Sequence, residues 1–143
     1  MADFKFLLLA PDEIEGAFYD EVVPRLKAFS AKTGESVNFD HVYFQLISGV
    51  FSLGVVTKDA KIIGIAITSK VADALTGFVG IHVVFVHADK GYDMTAYFAE
   101  IWDDMAKHFG YAFVSANLAR KGFLKRAPED WDTSIIFAEK RYV

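Results

Sequence analysis

The stretch "HVVFVHADKGYDMTAYFAEIWDDMAKHFGYAFVSAN", residues 82–117, decides the fold, because its hydrophobic period changes twice within it. It closes a nearly unbroken apolar run, "FVGIHVVFVH", the composition of a central strand covered on both faces. A polar turn, "ADKGYD", follows. Beyond it Met94, Phe98, Ile101, Met105 and Phe109 recur at spacings of three and four, with Glu100, Asp103, Asp104 and Lys107 outside them. That is the stripe of an amphipathic helix. Gly110 ends the helix, and "YAFVSAN" reads as strand again.

Upstream, "VFSLGVVTKDAKIIGIAITSKV" holds two β-rich runs around "KDAK", a hairpin pairing Val50 to Thr57 with Lys61 to Lys70. Before it lie two helices. Asp12 can cap the first, whose apolar positions Ile14, Phe18 and Val22 recur every four residues; Pro24 breaks or kinks it, and a continuation with Leu26 and Phe29 ends at Gly34. Asn38 or Asp40 can cap the second, with Val42, Leu46 and Ile47 as its buried stripe and Gly49 closing it. "FKFLLLA" supplies a first strand. Downstream, "ARKGFLKRAP" is a short basic turn or helix and "DTSIIFAEKRYV" a last strand. The order β, α, α, β, β, β, α, β, short α, β predicts an α/β domain: a mixed, mostly antiparallel sheet flanked by helices.

Composition sets the outer bounds. The 143 residues, 53% hydrophobic and 24% charged, suit one domain spanning residues 1–143 with a real core. With no cysteine there is no disulfide and no thiolate metal site, which leaves the cytoplasm as the default location. The N-terminal apolar run is too short for a membrane span. A formal net charge of -4 gives no long-range pull toward nucleic acid or anionic lipid. The cluster Arg120, Lys121, Lys125 and Arg126 reads as the solvated edge of a short helix. His41, His82, His87 and His108 show no metal-ligand spacing, so no metal is expected.

Taken together, "NFDHVYFQLISGVFSLGVVTKDAKIIGIAI" and the stretch 82–117 resemble the second helix, first hairpin, central strand, cofactor loop, following helix and next strand of the GNAT superfamily of acyl-CoA-dependent N-acetyltransferases. Small phage-encoded GNAT-like proteins are similar in length and in the "FD...SGVF" region. The resemblance implies acetyl-CoA lying in a gap beside the central strand, with its pyrophosphate wrapped by a loop of pattern Q/R-x-x-G-x-G/A. It places cofactor contacts at Val84, Val86, Lys90, Gly91, Tyr92, Asp93 and Asn117. Set on Gly91, however, the pattern falls on Ala88, Asp89, Lys90, Gly91, Tyr92 and Asp93, and only the central glycine survives. A carboxylate about 4 Å from a phosphate charge costs roughly 1 kcal/mol in water and about 4 at an effective dielectric near 20. Asp93 also has a ligand-free role, since Asp at a helix start accepts amide protons.

Acetyl transfer to an amine needs a base, an oxyanion-stabilising amide and a donor for the leaving thiolate. The family often carries a glutamate on the central strand; here the strand offers no carboxylate, and His82 is the titratable group within it, with His87 at its end. A lone histidine on such a strand is more often a hydrogen-bonded core residue than a catalyst. The family's tyrosine acid, seven residues after the asparagine matched by Asn117, falls on Leu124, beside Phe123. With loop, carboxylate and tyrosine all missing, the resemblance implies a degenerate acetyl-CoA site, with no cofactor bound, in a domain that acts through a protein partner or self-association. The alternative is an active N-acetyltransferase that uses acetyl-CoA, with a divergent loop and His82 as base.

Overall fold

The fold is described from a computed structural model, for residues 3–116, 130–132, 140 and 142. A five-stranded sheet in the order β1-β2-β3-β4-β5 comprises Lys5–Leu8, Phe51–Lys58, Lys61–Ala72, Val79–Ala88 and Val114–Ala116. The first three junctions are antiparallel and the β4 to β5 junction is parallel, so the mixed, mostly antiparallel α/β architecture expected from the sequence is present. Helices α1 (Pro11–Ala17), α2 (Val23–Thr33) and α3 (Phe39–Ile47) cover one face, and α4 (Thr95–Phe109) covers the other. The basic segment around Arg120 to Arg126, Phe123, Leu124 and, apart from Asp132, Lys140 and Tyr142, the expected last strand lie outside the described residues.

The first helix shows why a four-residue apolar repeat needs help. Ile14, Phe18, Val22 and Leu26 are all buried at steps of four. In a regular helix each such step rotates the side chain by about 40°, so the stripe would drift off the core. A π-helical turn over Phe18–Val22, closed by the amide of Val23 on the carbonyl of Phe18, absorbs the drift. The same turn accommodates Pro24: of the two expected outcomes, a break or a kink, the helix is not broken but passes through this irregular turn and runs on to Thr33, with Gly34 as its C-cap. It also brings Arg25, one residue before Leu26, to the buried side. Asp12 is not the cap; Pro11 opens the helix and Glu13 accepts the Ala10 amide at 2.9 Å. Asn38 is the cap of α3, its Oδ1 accepting the amide of His41 at 3.0 Å.

Two apolar layers result. Leu53, Val55, Ile65, Ile67 and Phe85 face α1 to α3, while Val56, Ile63, Ala66, Ile81 and Val83 face α4 through Met94, Phe98, Ile101, Trp102 and Met105. The helical stripe thus includes Trp102, and Phe109, half exposed at the last turn, drops out of it; Ile47 is likewise exposed at the end of α3. The hairpin of β2 and β3 turns through Asp59 and Ala60, both at positive φ (54° and 64°). That matches a type I′ turn, whose twist suits two paired strands.

Candidate functional site at the end of the central strand

Val84 is the residue on which the site is organised. On β3, Ile67 pairs with Phe85 and Thr68 with Val83, so Val84 is the extra residue of a β-bulge. The bulge shifts the alternation by one. Val83 and Val86 point toward α4, whereas Val84 and Phe85 both lie on the side of α1 to α3, and His87 joins them there beside α2. The parallel ladder to β5 covers Ile81, His82 and Val83 against Val114, Ser115 and Ala116. Asn117, the next residue, is outside the described set.

The loop after β4 is a tight turn. The amide of Asp89 donates to the carbonyl of Ile63 at 2.8 Å, extending the β3 ladder, and the amide of Tyr92 donates to the carbonyl of Asp89 at 3.1 Å. Gly91 sits third in that turn at φ 96°, the position at which a type II turn demands glycine. The helix begins at Thr95, with Met94 as its cap residue and the Met94 side chain buried. Asp93 therefore stands one residue outside the cap, where its Oδ1 accepts the amide of Thr95 at 3.2 Å. Lys90 is exposed, and the half-buried Tyr92 packs against the α4-side core with the Lys58 ammonium 5.9 Å from its ring.

Beneath the loop lies a charged cluster that joins distant parts of the chain. Arg25, buried on α2, donates through Nε and Nη2 to the two carboxylate oxygens of Asp89 at 2.9 and 2.8 Å. Its Nη1 donates to the Glu21 carboxylate at 2.7 Å and to the Glu21 carbonyl at 2.9 Å, and Nη2 also reaches the carbonyl of Ile62 at 3.2 Å. Burial works to lower the guanidinium's pKa, but the hydrogen bonds and charges of Asp89 and Glu21 outweigh it and hold the pKa above its ordinary value. These groups border an open hollow of about 470 Å³ together with Asp20, Lys61 and His87.

His87 is the least satisfied group of the cluster. Its ring stacks on Phe85, and its buried Nδ1 lies 3.8 Å from Asp89 Oδ1, too long for a hydrogen bond. Burial pushes its pKa down; the Asp89 carboxylate opposes this and the Arg25 cation adds to it. The imidazole is accordingly neutral at pH 7. His82, by contrast, is committed across the sheet, its Nδ1 2.9 Å from Ser115 Oγ. The two histidines are not brought together, since His82 pairs with Ser69 and His87 with Ile65. Of the residues singled out from sequence, Val84, Val86, Lys90, Gly91, Tyr92 and Asp93 form one continuous strand end and loop. Arg25 and Asp89 carry no motif in sequence, since Arg25 stands one residue off the apolar stripe that ends on Leu26. Among the described residues no group of three metal-ligating side chains converges, and no helix is long and apolar enough to cross a membrane.

No protein-family model matches the sequence, and comparison with curated proteins finds no relative. Solved structures do match. A GNAT family acetyltransferase from Staphylococcus aureus superposes with a TM-score of 0.63 at 13% identity, covering 99% of both chains. The glucosamine-6-phosphate N-acetyltransferase of Arabidopsis thaliana gives 0.63 at 18% identity over 98% of this chain and 99% of its own. An aminoglycoside acetyltransferase from an uncultured soil metagenomic sample, solved with sisomicin, gives 0.66 at 13% over 96% of each. The β-bulged central strand, its turn and the helix that follows thus belong to a chain with the GNAT acetyltransferase fold.

Proposed function

We propose that this chain is a GNAT-fold module with a degenerate acetyl-CoA site, acting through a protein partner or by self-association. The observation that carries the reading is the use the loop makes of its own amides. A pyrophosphate loop needs amides that converge on an open space at a helix N-terminus. Here the Asp89 amide is taken by the Ile63 carbonyl of β3 and the Tyr92 amide by the carbonyl of Asp89, and the Asp93 carboxylate already holds the Thr95 amide where a phosphate oxygen would compete for it. The incoming anion would have to displace one carboxylate and approach a second, Asp89, that Arg25 fixes in place. A cytoplasmic or virion setting, the latter if the gene is phage-borne, is part of the same proposal.

Calorimetry and thermal shift with acetyl-CoA test it. A ligand specific to the native state at one hundred times its dissociation constant adds about 2.7 kcal/mol, equivalent to a rise of roughly 5 to 10 °C for a domain of this size. We expect no rise at millimolar acetyl-CoA; a reproducible one with matching heat would overturn the reading. The second reading, an N-acetyltransferase using acetyl-CoA through a divergent loop, is favoured by the family likeness of the fold and by a neutral histidine, His87, beside an open hollow. Amine acetylation abolished by His82→Ala or His87→Ala, with acetyl-CoA binding retained, would establish that reading instead and identify its base.

A further inference from the structure

The sheet ends at β1, but α4 overhangs it. On the outer side of β1 no strand is present among the described residues, and Leu7 and Leu8 are 54% and 44% exposed. Between this edge and α4 runs a groove of about 540 Å³. Its floor is apolar: Phe4 and Phe6 pack under the helix against Tyr97 and Trp102, and Ile101 and Met105 close it from above. The rim is acidic, since Glu100 and Asp104 are exposed one helical turn apart at its mouth. Lys5 also borders the groove, so the rim carries two acidic groups against one basic one and is acidic on balance.

These features fit one kind of occupant. An edge strand offers a row of backbone donors and acceptors to an incoming strand, and side-chain pockets beside it select what binds. Residues four apart on a helix face are about 6 Å apart, and alternate side chains of a strand about 6.7 Å apart. Glu100 and Asp104 are therefore spaced to meet two successive same-face side chains of a strand laid along β1. We propose that the β1 edge and the groove under α4 take up an extended segment of a protein partner as an added strand, with basic side chains at alternate positions meeting Glu100 and Asp104. The proposal rests on the interaction-module reading above and names the chemistry of its partner.

The test uses the full chain, isotope-labelled for amide NMR, with short capped peptides of alternating lysine and valine or of alternating glutamate and valine. The lysine peptide should bind at micromolar concentration, with shifts concentrated at Lys5–Leu8 and Glu100–Met105, and the glutamate peptide should not. Glu100→Lys with Asp104→Lys, both at exposed positions that leave the core untouched, should weaken the lysine peptide by at least about tenfold and transfer binding to the glutamate peptide. Absence of binding, shifts elsewhere, or indifference to the charge reversal would overturn the proposal. So would concentration-dependent dimerisation through the same amides, which would make the occupant a second copy of this chain. Acetyl-CoA calorimetry on the same sample reports separately on the degenerate-site reading, so failure of one is not mistaken for failure of the other.

Discussion

Removing Asp89 should cost more stability than removing Arg25, although the two belong to one ion pair. Asp89→Ala strands a guanidinium whose side chain is 11% exposed and which loses two charge-assisted hydrogen bonds, at 2.9 and 2.8 Å. Breaking a buried pair from one side costs about 3 to 5 kcal/mol when the survivor has no other partner. Glu21 still holds Nη1 at 2.7 Å, which reduces the expected loss to about 2 to 3 kcal/mol. Arg25→Met instead strands a carboxylate that is 32% exposed and can be hydrated, so about 1 to 2 kcal/mol is expected. The double variant should lose less than the sum of the singles, with a coupling of about 1 to 2 kcal/mol. Urea unfolding followed by the fluorescence of Trp102 and Trp131 gives all three values on one scale, and hydrogen exchange at the Tyr92 amide reports whether the turn opens when its anchor is lost. Equal and additive single losses would refute the reasoning, because they would mean that the pair is hydrated from both sides and does not fix the loop.

Three further outcomes follow from the same geometry. Ala60→Gly should stabilise the domain by about 1 kcal/mol, because Ala60 occupies a left-handed conformation at φ 64° that costs an alanine about 1 to 2 kcal/mol; a lowered urea midpoint would contradict it. His87 has a folded pKa below its ordinary value, so the unfolded chain binds its proton first: stability is full above about pH 6.5, declines as pH falls toward the folded pKa, and His87→Gln should flatten that limb of a stability-versus-pH curve. Ala88→Arg with Asp93→Gly removes one repulsion from the loop and adds a guanidinium, so acetyl-CoA binding should appear by calorimetry, with a small loss of stability as the Thr95 amide loses its acceptor; continued blindness in a folded variant would place the obstacle in the Arg25–Asp89 pair or at side chains such as Phe85 or Tyr92.

Much of the fold was legible because the signals were local and redundant. The hairpin, the apolar central strand and the stripe of α4 each repeat their period several times, so an error at one residue leaves the element intact. What sequence reading misplaced were single positions at element ends. Asp12 looks like a cap, but Pro11 already fixes the first turn and Glu13 supplies the acceptor. Pro24 looks like a breaker, because the π-helical turn that accommodates it is dictated by the four-residue spacing of Ile14, Phe18, Val22 and Leu26, a pattern that only packing against the sheet enforces. Trp102 falls outside the sequence stripe for a similar reason: the stripe takes one residue per turn, whereas the helix buries both Ile101 and Trp102 in the core on its side of the sheet.

The site was legible to a different depth. That the loop departs from a phosphate-binding pattern could be seen residue by residue, since Asp93 and Ala88 stand where the pattern asks for other chemistry. That the loop is also held from below could not, because Arg25 and Asp89 are 64 residues apart and meet only once α2 is laid across the end of the sheet. The two facts have one physical consequence. A carboxylate that merely repelled a phosphate would leave the loop free to rearrange around a tightly bound ligand, at the cost of a few kcal/mol. A carboxylate locked by a bidentate arginine, in a turn whose Asp89 and Tyr92 amides already have acceptors, requires that the ion pair, the turn and the Asp93 contact give way together. Interactions that must break as a unit are not additive. For this reason the variants at Asp89 and at Asp93 should be compared in the same background: acetyl-CoA binding that appears only when both are changed would locate the barrier in the lock, whereas binding restored by Asp93→Gly alone would reduce it to a single misplaced charge.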